Sequence, residues 1–191
     1  FPELTERLVL VSSGGLGSEV SAILRAAALP GADLFIAATA AVGSTVGSRV
    51  GRGLAAVGLR PSTDVGEVAR GYASLVDRDR RTAFLATLHA VVGTGGQRIN
   101  ASDLLYLAEG MPVLIVWGAR DSIIPVQHGV SAHAAIPGSR LEVFEGVGHL
   151  PQLEAPGHFI AVLDRFISET EPARYDSEQW RGRLRIASGQ A

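Results

Sequence analysis

A carboxylate and an imidazole each follow an apolar run that ends in a glycine-containing turn. Asp121 closes the Gly-Ala-Arg-Asp segment over residues 118–121, and His149 closes the Gly-Val-Gly-His segment over residues 146–149. An imidazole can take a proton from a weakly acidic hydroxyl, and a carboxylate bonded to its other nitrogen fixes its tautomer and stabilises its charged form. The pair predicts catalysis by a hydroxyl nucleophile that His149 activates and Asp121 supports.

Three short apolar runs must position these side chains. They cover residues 8–11, 113–117 and 141–144, and each stops at a turn rich in glycine. The first two runs are continuous, which is typical of strands buried on both faces of a parallel sheet, and the third contains Glu142. Pro125 opens a predicted helix between the second and third runs, and Pro156 opens another after the third. This alternation predicts an α/β fold with Asp121 and His149 beyond the carboxyl ends of parallel strands, where ligands of such sheets bind.

The rest of the chain divides around these runs. We expect a core strand and turn over residues 1–17, a helical insertion over residues 18–109, an α/β core over residues 110–170 and a polar tail over residues 171–191. The insertion is rich in Ala and Leu at helical spacing, with breaks at residues 30–31, 58, 61 and 93–96. The tail is expected either to form a loosely docked helix around Trp180, which we favour, or to be disordered.

Local patterns give more detailed expectations for three helices. One runs over about residues 80–92, with Asp77 and Asp79 near its start and a buried stripe of Phe84, Leu85, Leu88 and Val92. A second is short, is capped by Ser102 and ends near Glu109. The last begins at residues 155–156, and its predicted buried stripe is Phe159, Val162, Leu163, Phe166 and Ile167.

The segment Trp-Gly-Ala-Arg-Asp over residues 117–121, followed by Ile124 and Pro125, resembles the acid loop of the α/β-hydrolase family. The segment over residues 146–154, with His149, Gln152 and Glu154, resembles the histidine loop of that family. The resemblance covers nearly the whole chain and implies a partial α/β-hydrolase fold with three C-terminal core strands, flanking helices and an inserted helical cap. It also implies that Asp121 is the triad acid and His149 the triad base, because the family orders its triad as nucleophile, acid and histidine.

The nucleophile of that triad has no candidate in this chain. The family places it in a G-x-S-x-G turn, and no such pentapeptide occurs in residues 1–191. Ser12 and Ser13 end an apolar run but lack a glycine two places before either of them. The resemblance therefore implies that the chain is a C-terminal fragment whose nucleophile, serine or aspartate, lies upstream of residue 1. The donors of an oxyanion hole are expected to lie upstream for the same reason.

The turn over residues 11–17, with its Gly-Gly-Leu-Gly sequence, resembles a branch of the family that cleaves carbon–carbon bonds of aromatic ring-fission products. That branch often carries an aromatic residue after the histidine, whereas Leu150 stands here. The same glycines could be read as a phosphate-binding loop, but the fingerprint fails at its third glycine, where Val20 stands. We expect no cofactor and a tight turn leading into the cap.

Composition excludes several other classes of function. A net charge of -2 gives no basic surface for nucleic acid, and the absence of cysteine removes disulfides and thiolate metal sites and suits a cytoplasmic protein. His128 and His133 are five residues apart, which does not align two metal ligands on one helical face. The longest apolar stretch, over residues 34–46, is shorter than the roughly 20 residues of a membrane span. Hydrophobic small molecules and water are the expected substrates. The sequence leaves open whether the protein forms a homo-oligomer.

Two hypotheses remain. The first is a serine hydrolase that cleaves an ester, or a carbon–carbon bond, of a hydrophobic small molecule through a Ser-Asp-His triad. The second is a non-catalytic truncated product or binding module that retains part of the fold. A G-x-S-x-G segment encoded upstream of residue 1, together with ester turnover that depends on His149, would separate them. No sequence pattern indicates which bond is cleaved, which acyl group is accepted or which oligomeric state the protein adopts.

Overall fold

The structure, a computed structural model, describes residues 4–41, 63–174 and 176–187. In chain order its elements are β1 (Leu8–Val11), α1 (Ala22–Ala27), α2 (32–41), α3 (Thr63–Ser74), α4 (Arg78–Val91), β2 (Val92–Gly93), β3 (Gly96–Gln97), a 3-10 helix (Ser102–Ala108), β4 (Val113–Gly118), α5 (Gln127–Ala135), β5 (Arg140–Phe144), α6 (Pro151–Glu154), α7 (Pro156–Ser168) and α8 (Ser177–Ala187). The chain forms two compact units, a sheet unit of Phe1–Gly17 with Asn100–Ala191 and a helical unit of Ser18–Ile99.

A parallel sheet forms the centre of the sheet unit. Its strands lie in the order β1-β4-β5, and the central strand β4 is buried along its whole length. Val11 pairs with Val116, and Gly118 pairs with Phe144, so the three strands end at the same edge of the sheet. The predicted α/β class, the three strands and their parallel order are confirmed.

The two faces of β4 bury different halves of the core. Val113, Ile115 and Trp117 pack in one cluster with residues of the 3-10 helix and α5, while Leu114 and Val116 pack in another with residues of α7. Successive side chains of a strand point to opposite faces, so a continuous apolar run serves both clusters. The sheet is covered by helices on each side, as its sequence pattern indicates.

Helix α7 begins at Pro156, as predicted, but one member of its predicted buried stripe is wrong. Val162 and Phe166 are buried, and Phe159 and Leu163 pack against them in part, whereas the side chain of Ile167 is 48% exposed. Seven residues make nearly two helical turns, so Ile167 points in the same direction as the exposed Ile160. The apolar pattern of α7 is therefore wider than the surface it buries.

Ser102 does not cap the helix that follows it. That helix is a 3-10 helix with Ala101 at its N-cap position and no side-chain cap, and Ser102 is its first residue. The Oδ1 atom of Asn100 accepts hydrogen bonds from the amide of Ser102 (3.0 Å) and from its hydroxyl (2.6 Å). An asparagine side chain readily bonds the backbone two residues further on, and the Ser102 hydroxyl is bonded to Asn100 instead of capping the helix.

The C-terminal tail contains the predicted helix around Trp180, α8. Trp180 lines an apolar depression together with Leu8, Leu104 and Met111. The segment before α8 is tied to the start of β1, because the amide of Ala173 donates to the carbonyl of Glu6 at 2.9 Å. These contacts all lie within the sheet unit.

The helical unit contains the predicted helix over residues 80–92, which the structure places at Arg78–Val91. Asp77 is its N-cap and accepts a hydrogen bond from the amide of Arg80 at 2.9 Å. Leu85, Leu88 and Val92 are buried as predicted, and Phe84 packs against them in part. Gly31, with a φ of +83°, lies in the turn between α1 and α2. The predicted breaks at residues 58 and 61 lie outside the described residues.

The two ends of the helical unit are bonded to each other. The amide of Gln97 donates to the carbonyl of Ser18 at 2.8 Å, and the Gln97 side chain donates to the carbonyl of Glu19 at 2.9 Å. Gly96 has a φ of +119° and lies so close to the Ser18 carbonyl that a Cβ atom would clash with it. The β2-β3 hairpin that makes these contacts was not predicted, since its strands have only two residues each.

No helix within the described parts of the chain is long and apolar enough to cross a bilayer. The predicted apolar stretch over residues 34–46 contributes residues 34–41 to α2. Its remaining residues, 42–46, lie outside the described residues.

Candidate active site

Asp121 is held by the turn that follows β4. Its amide donates to the carbonyl of Gly118 at 3.2 Å, which closes the turn. Its Oδ1 atom accepts hydrogen bonds from the amides of Ile123 (2.8 Å) and Ile124 (2.9 Å). An aspartate after a strand commonly makes such local bonds, and here they fix the carboxylate in one orientation. One carboxylate oxygen is thereby engaged by the backbone, and Oδ2 is available for a different partner.

Trp117 anchors the same loop to the core. Its indole Nε1 donates to the carbonyl of Ile124 at 3.1 Å, and its side chain is completely buried. Gly129 of α5 packs on the ring, because a Cβ atom there would lie 2.6 Å from Cε3 of Trp117. The tryptophan in the predicted acid loop therefore has a structural task, since it ties the far end of the loop back to the strand that begins it.

The backbone of the histidine loop is hydrogen-bonded to the backbone of the acid loop. The amide of Ala119 donates to the carbonyl of Phe144 at 3.0 Å, and the amide of Arg120 donates to the carbonyl of Val147 at 2.9 Å. These bonds continue the pairing of β4 with β5 past the end of the sheet. They set the distance between the two loops, and with it the distance between Asp121 and His149.

Gly118 lies at the point where the two loops approach most closely. A Cβ atom at this position would overlap the carbonyl oxygens of Gly148 and Val147. Both obstacles are backbone atoms, which cannot rotate away as a side chain can. A residue without a side chain is therefore required at this position if His149 is to stay where it is.

Glu154 fastens the other side of the histidine loop. Its Oε1 atom accepts a hydrogen bond from the amide of Gly148 at 2.9 Å, and its own amide donates to the carbonyl of Leu150 at 3.0 Å. The single-turn helix α6 brings this carboxylate back to the residue just before His149. The imidazole is thus supported from both of its neighbours in the chain.

The structure brings the two predicted site residues together. His149 Nδ1 lies 2.8 Å from Asp121 Oδ2, and the side chains of His149 and Asp121 are 25% and 0% exposed. Burial by itself raises the pKa of Asp121, but the hydrogen bonds from His149 and from the Ile124 and Ile123 amides outweigh it, so the pKa lies below its usual value. Asp121 is therefore ionised at neutral pH and can only accept. His149 must carry its proton on Nδ1, which leaves Nε2 as the basic nitrogen when the ring is neutral.

We expect the Asp121→Asn substitution to lower the free energy of unfolding by about 2 kcal/mol at neutral pH, because it removes charge-assisted hydrogen bonds. Because the pKa of Asp121 is lowered in the folded protein, its contribution to the free energy of unfolding is complete above the ordinary aspartate pKa of about 3.9. That contribution is lost as the pH falls through the lower pKa of the folded state. The difference between wild type and variant should therefore narrow in acid. Urea unfolding at a series of pH values measures it. A constant difference, or the same narrowing in the Asp103→Asn control at an exposed site, would contradict the expectation.

The other histidines play no part in this pair. His128 is buried, and its ring packs on Gly17, where a Cβ atom would lie 2.7 Å from the Cδ2 ring atom. His133 Nδ1 lies 2.8 Å from the Ser139 hydroxyl. Among the described residues there is no group of three or more His, Asp or Glu side chains that could hold a metal ion.

The backbone conformation of Ser12 was not predicted from the sequence. It follows β1, is buried and has a φ of +42°. The neighbouring glycines predicted a tight turn, which the φ of +83° at Gly15 bears out, but a serine gives no sequence signal for a left-handed backbone. Its neighbour Ser13 is half-buried.

A sequence model described as the alpha/beta hydrolase fold matches residues 52–156, a range that includes Asp121 and His149. The chain belongs to the α/β-hydrolase fold family. The resemblance noted in the acid and histidine loops is thereby confirmed, and the parallel sheet is the partial form of this fold.

This chain is similar in sequence to a mycobacterial protein over its whole length and to an esterase over part of it. An uncharacterised protein of Mycobacterium tuberculosis (strain H37Rv) is 40% identical over 200 residues, which cover 100% of this chain and 57% of that protein. A pimeloyl-[acyl-carrier protein] methyl ester esterase of Neisseria meningitidis serogroup B is 37% identical over 71 residues, which cover 37% of this chain and 27% of the esterase. This chain thus spans little more than half the length of the mycobacterial relative.

Solved structures agree with the fold. A meta-cleavage product hydrolase from Pseudomonas fluorescens IP01 superposes with a TM-score of 0.58 at 19% sequence identity, covering 88% of this chain and 58% of that one. At this level of identity the match concerns the arrangement of strands and helices. It confirms the partial α/β-hydrolase architecture of the sheet and its flanking helices.

Proposed function

We propose that the protein is a serine hydrolase that cleaves an ester of a hydrophobic small molecule, with Asp121 as the triad acid and His149 as the triad base. The observation that carries this proposal is the 2.8 Å contact between His149 Nδ1 and a completely buried Asp121 carboxylate. The carboxylate is oriented by two backbone amides, and the pair lies beyond the carboxyl ends of parallel strands. Catalytic bases are oriented by a third group in this way.

In the proposed reaction His149 Nε2 takes the proton of the serine hydroxyl as the oxygen attacks the ester carbonyl. The same proton passes to the leaving alcohol when the carbon–oxygen bond breaks and an acyl-enzyme remains. Water then attacks the acyl group with His149 again as the base, and the acid and the free serine are released. Asp121 stays ionised throughout, holds the Nδ1 proton and stabilises the imidazolium that forms twice in each cycle.

The proposal places the nucleophile outside residues 1–191. It is supported by the lack of a G-x-S-x-G segment in the printed sequence and by the length of the mycobacterial relative, of which this chain covers 57%. A serine and its oxyanion hole supplied by another part of the protein would complete the site. The helical insertion is proposed to act as the cap that selects the substrate.

An ester is proposed as the substrate because the esterase of Neisseria meningitidis shares 37% identity over 71 residues with this chain. Cleavage of a carbon–carbon bond would use the same two residues, and it is the runner-up within this class. The apolar composition of the insertion favours a hydrophobic acyl group, and no cofactor takes part in the proposed reaction.

Covalent labelling tests the proposal. The protein expressed from its complete gene is treated with a fluorophosphonate, which phosphonylates activated serines with loss of fluoride, and the label is located by peptide mass spectrometry. We expect one labelled serine outside residues 1–191 and a parallel loss of p-nitrophenyl pentanoate hydrolysis. Heat-denatured protein is the control and should remain unlabelled.

Other results would contradict the proposal in different ways. A label on Ser12 or Ser13 would place the nucleophile inside this chain. Ester turnover without a labelled serine would contradict a serine nucleophile. Neither label nor turnover would favour the alternative, a non-catalytic protein that keeps part of the fold.

A further inference from the structure

Ser12 has a backbone conformation that serine rarely adopts. It directly follows β1, and its amide still donates to the carbonyl of Val116 at 3.0 Å, as if the strand continued. Its φ of +42° then turns the chain into the left-handed region, and no other described residue besides glycines has a positive φ. Such strain persists where the surrounding structure imposes it, and it concentrates at binding and catalytic sites.

The hydroxyl of Ser12 is buried and has no hydrogen-bond partner among the described residues. The residue is 6% exposed, and its Oγ atom makes no hydrogen bond to any of the described residues. Almost all buried polar groups in folded proteins are paired, because an unpaired one has lost its water and gained nothing in return. A strained backbone and an unsatisfied hydroxyl therefore coincide in one residue.

The position of Ser12 relates it to the proposed catalytic pair. Each of the three parallel strands carries one of these residues beyond its carboxyl end, with Ser12 after β1, Asp121 after β4 and His149 after β5. Ligands of open α/β sheets bind along this edge. Since the Ser12 hydroxyl is not bonded to His149, it is not placed as an activated nucleophile.

We propose that Ser12 is a substrate-contacting residue whose hydroxyl donates a hydrogen bond to a neutral oxygen, such as a ketone, on the acyl chain of the substrate. A neutral acceptor is inferred because a carboxylate buried against a single hydroxyl would lose more hydration than one hydrogen bond returns. The substrate would supply the partner that the Ser12 hydroxyl lacks among the described residues. This inference rests on the proposed esterase function.

The test compares two matched esters, p-nitrophenyl pentanoate and p-nitrophenyl 4-oxopentanoate, in the protein expressed from its complete gene. We expect Ser12→Ala and Ser12→Gly to lower kcat/KM for the keto ester by about tenfold more than kcat/KM for the pentanoate, the effect of one lost hydrogen bond. Ser13→Ala, at the neighbouring residue, should change neither. Equal losses on both esters, or no loss on either, would overturn the inference.

Thermal unfolding separates a substrate contact from a structural one. Ser12→Gly should raise the unfolding midpoint, because glycine adopts positive φ without strain, and Ser12→Ala should not lower it. A lower midpoint in Ser12→Ala would show that the hydroxyl bonds to another part of the protein, and it would overturn the inference. Loss of turnover in His149→Ala together with unchanged Ser12 variants would refute this inference alone, whereas unchanged turnover in His149→Ala would refute the proposed function.

Discussion

Replacement of His149 by alanine is expected to lower kcat for p-nitrophenyl pentanoate by about four orders of magnitude, the upper range of a general acid–base contribution. The imidazole is the proposed acceptor of the serine proton and the donor to the leaving alcohol, and no other described side chain bonds to Asp121 Oδ2 in its place. Because substrate binding does not depend on proton transfer, KM should change little. Steady-state hydrolysis by the protein expressed from its complete gene measures both constants.

His133→Ala is the matched control for this experiment. His133 is also a histidine of the sheet unit with a polar contact on Nδ1, but its partner is Ser139, the residue before β5. Its replacement should leave kcat within about twofold of wild type, the range of a small change in stability. If both variants retain turnover, His149 is not the base, and the pair it forms with Asp121 would be a structural ion pair.

Gly118→Ala is expected to have the largest effect on stability, a loss of about 3 kcal/mol in the free energy of unfolding. The new methyl group would meet the carbonyl oxygens of Val147 and Gly148, and one of the two loops must move to admit it. Movement of the histidine loop separates His149 from Asp121, so kcat should fall together with stability. Urea unfolding and ester hydrolysis on the same preparation measure the two effects.

Gly157→Ala provides a control of opposite sign. Gly157 lies in the first turn of α7, and a Cβ atom there would meet nothing within 4 Å. An alanine in this helix should raise the free energy of unfolding by about 0.5 kcal/mol and leave turnover unchanged. If Gly118→Ala behaved like Gly157→Ala, the close approach of the two loops would not be the feature that positions His149.

The sequence was sufficient to predict the strands and the two loops of the candidate site. Short apolar runs that stop at turns containing glycine favour strands over helices, and β1, β4 and β5 lie where they were expected. Parallel strands then bring their carboxyl ends to one edge, which is why residues as distant as Asp121 and His149 could be paired in advance. Local patterns, repeated at the right spacing, carried this information.

Features that depend on proximity in space could not be predicted in the same way. Gly118 looked like an ordinary turn residue, and only the folded chain shows that backbone oxygens fill the space beside it. Glu154 belongs to the recognised histidine loop, but its bond to Gly148 needs the single turn of α6, which was not predicted. Ile167 matched the helical period and is exposed, because periodicity gives a direction and not the width of the buried surface.

The joined ends of the helical unit have a consequence for how such proteins can diversify. Gln97 is hydrogen-bonded to Ser18, so the two ends of the segment lie close together. A segment with adjoining ends can be exchanged for one of another length or origin without pulling on the strands that flank it. Recombination at this junction would replace the inserted segment and leave the sheet unaltered. A laboratory library of such chimaeras could use Ser18 and Gln97 as its crossover points.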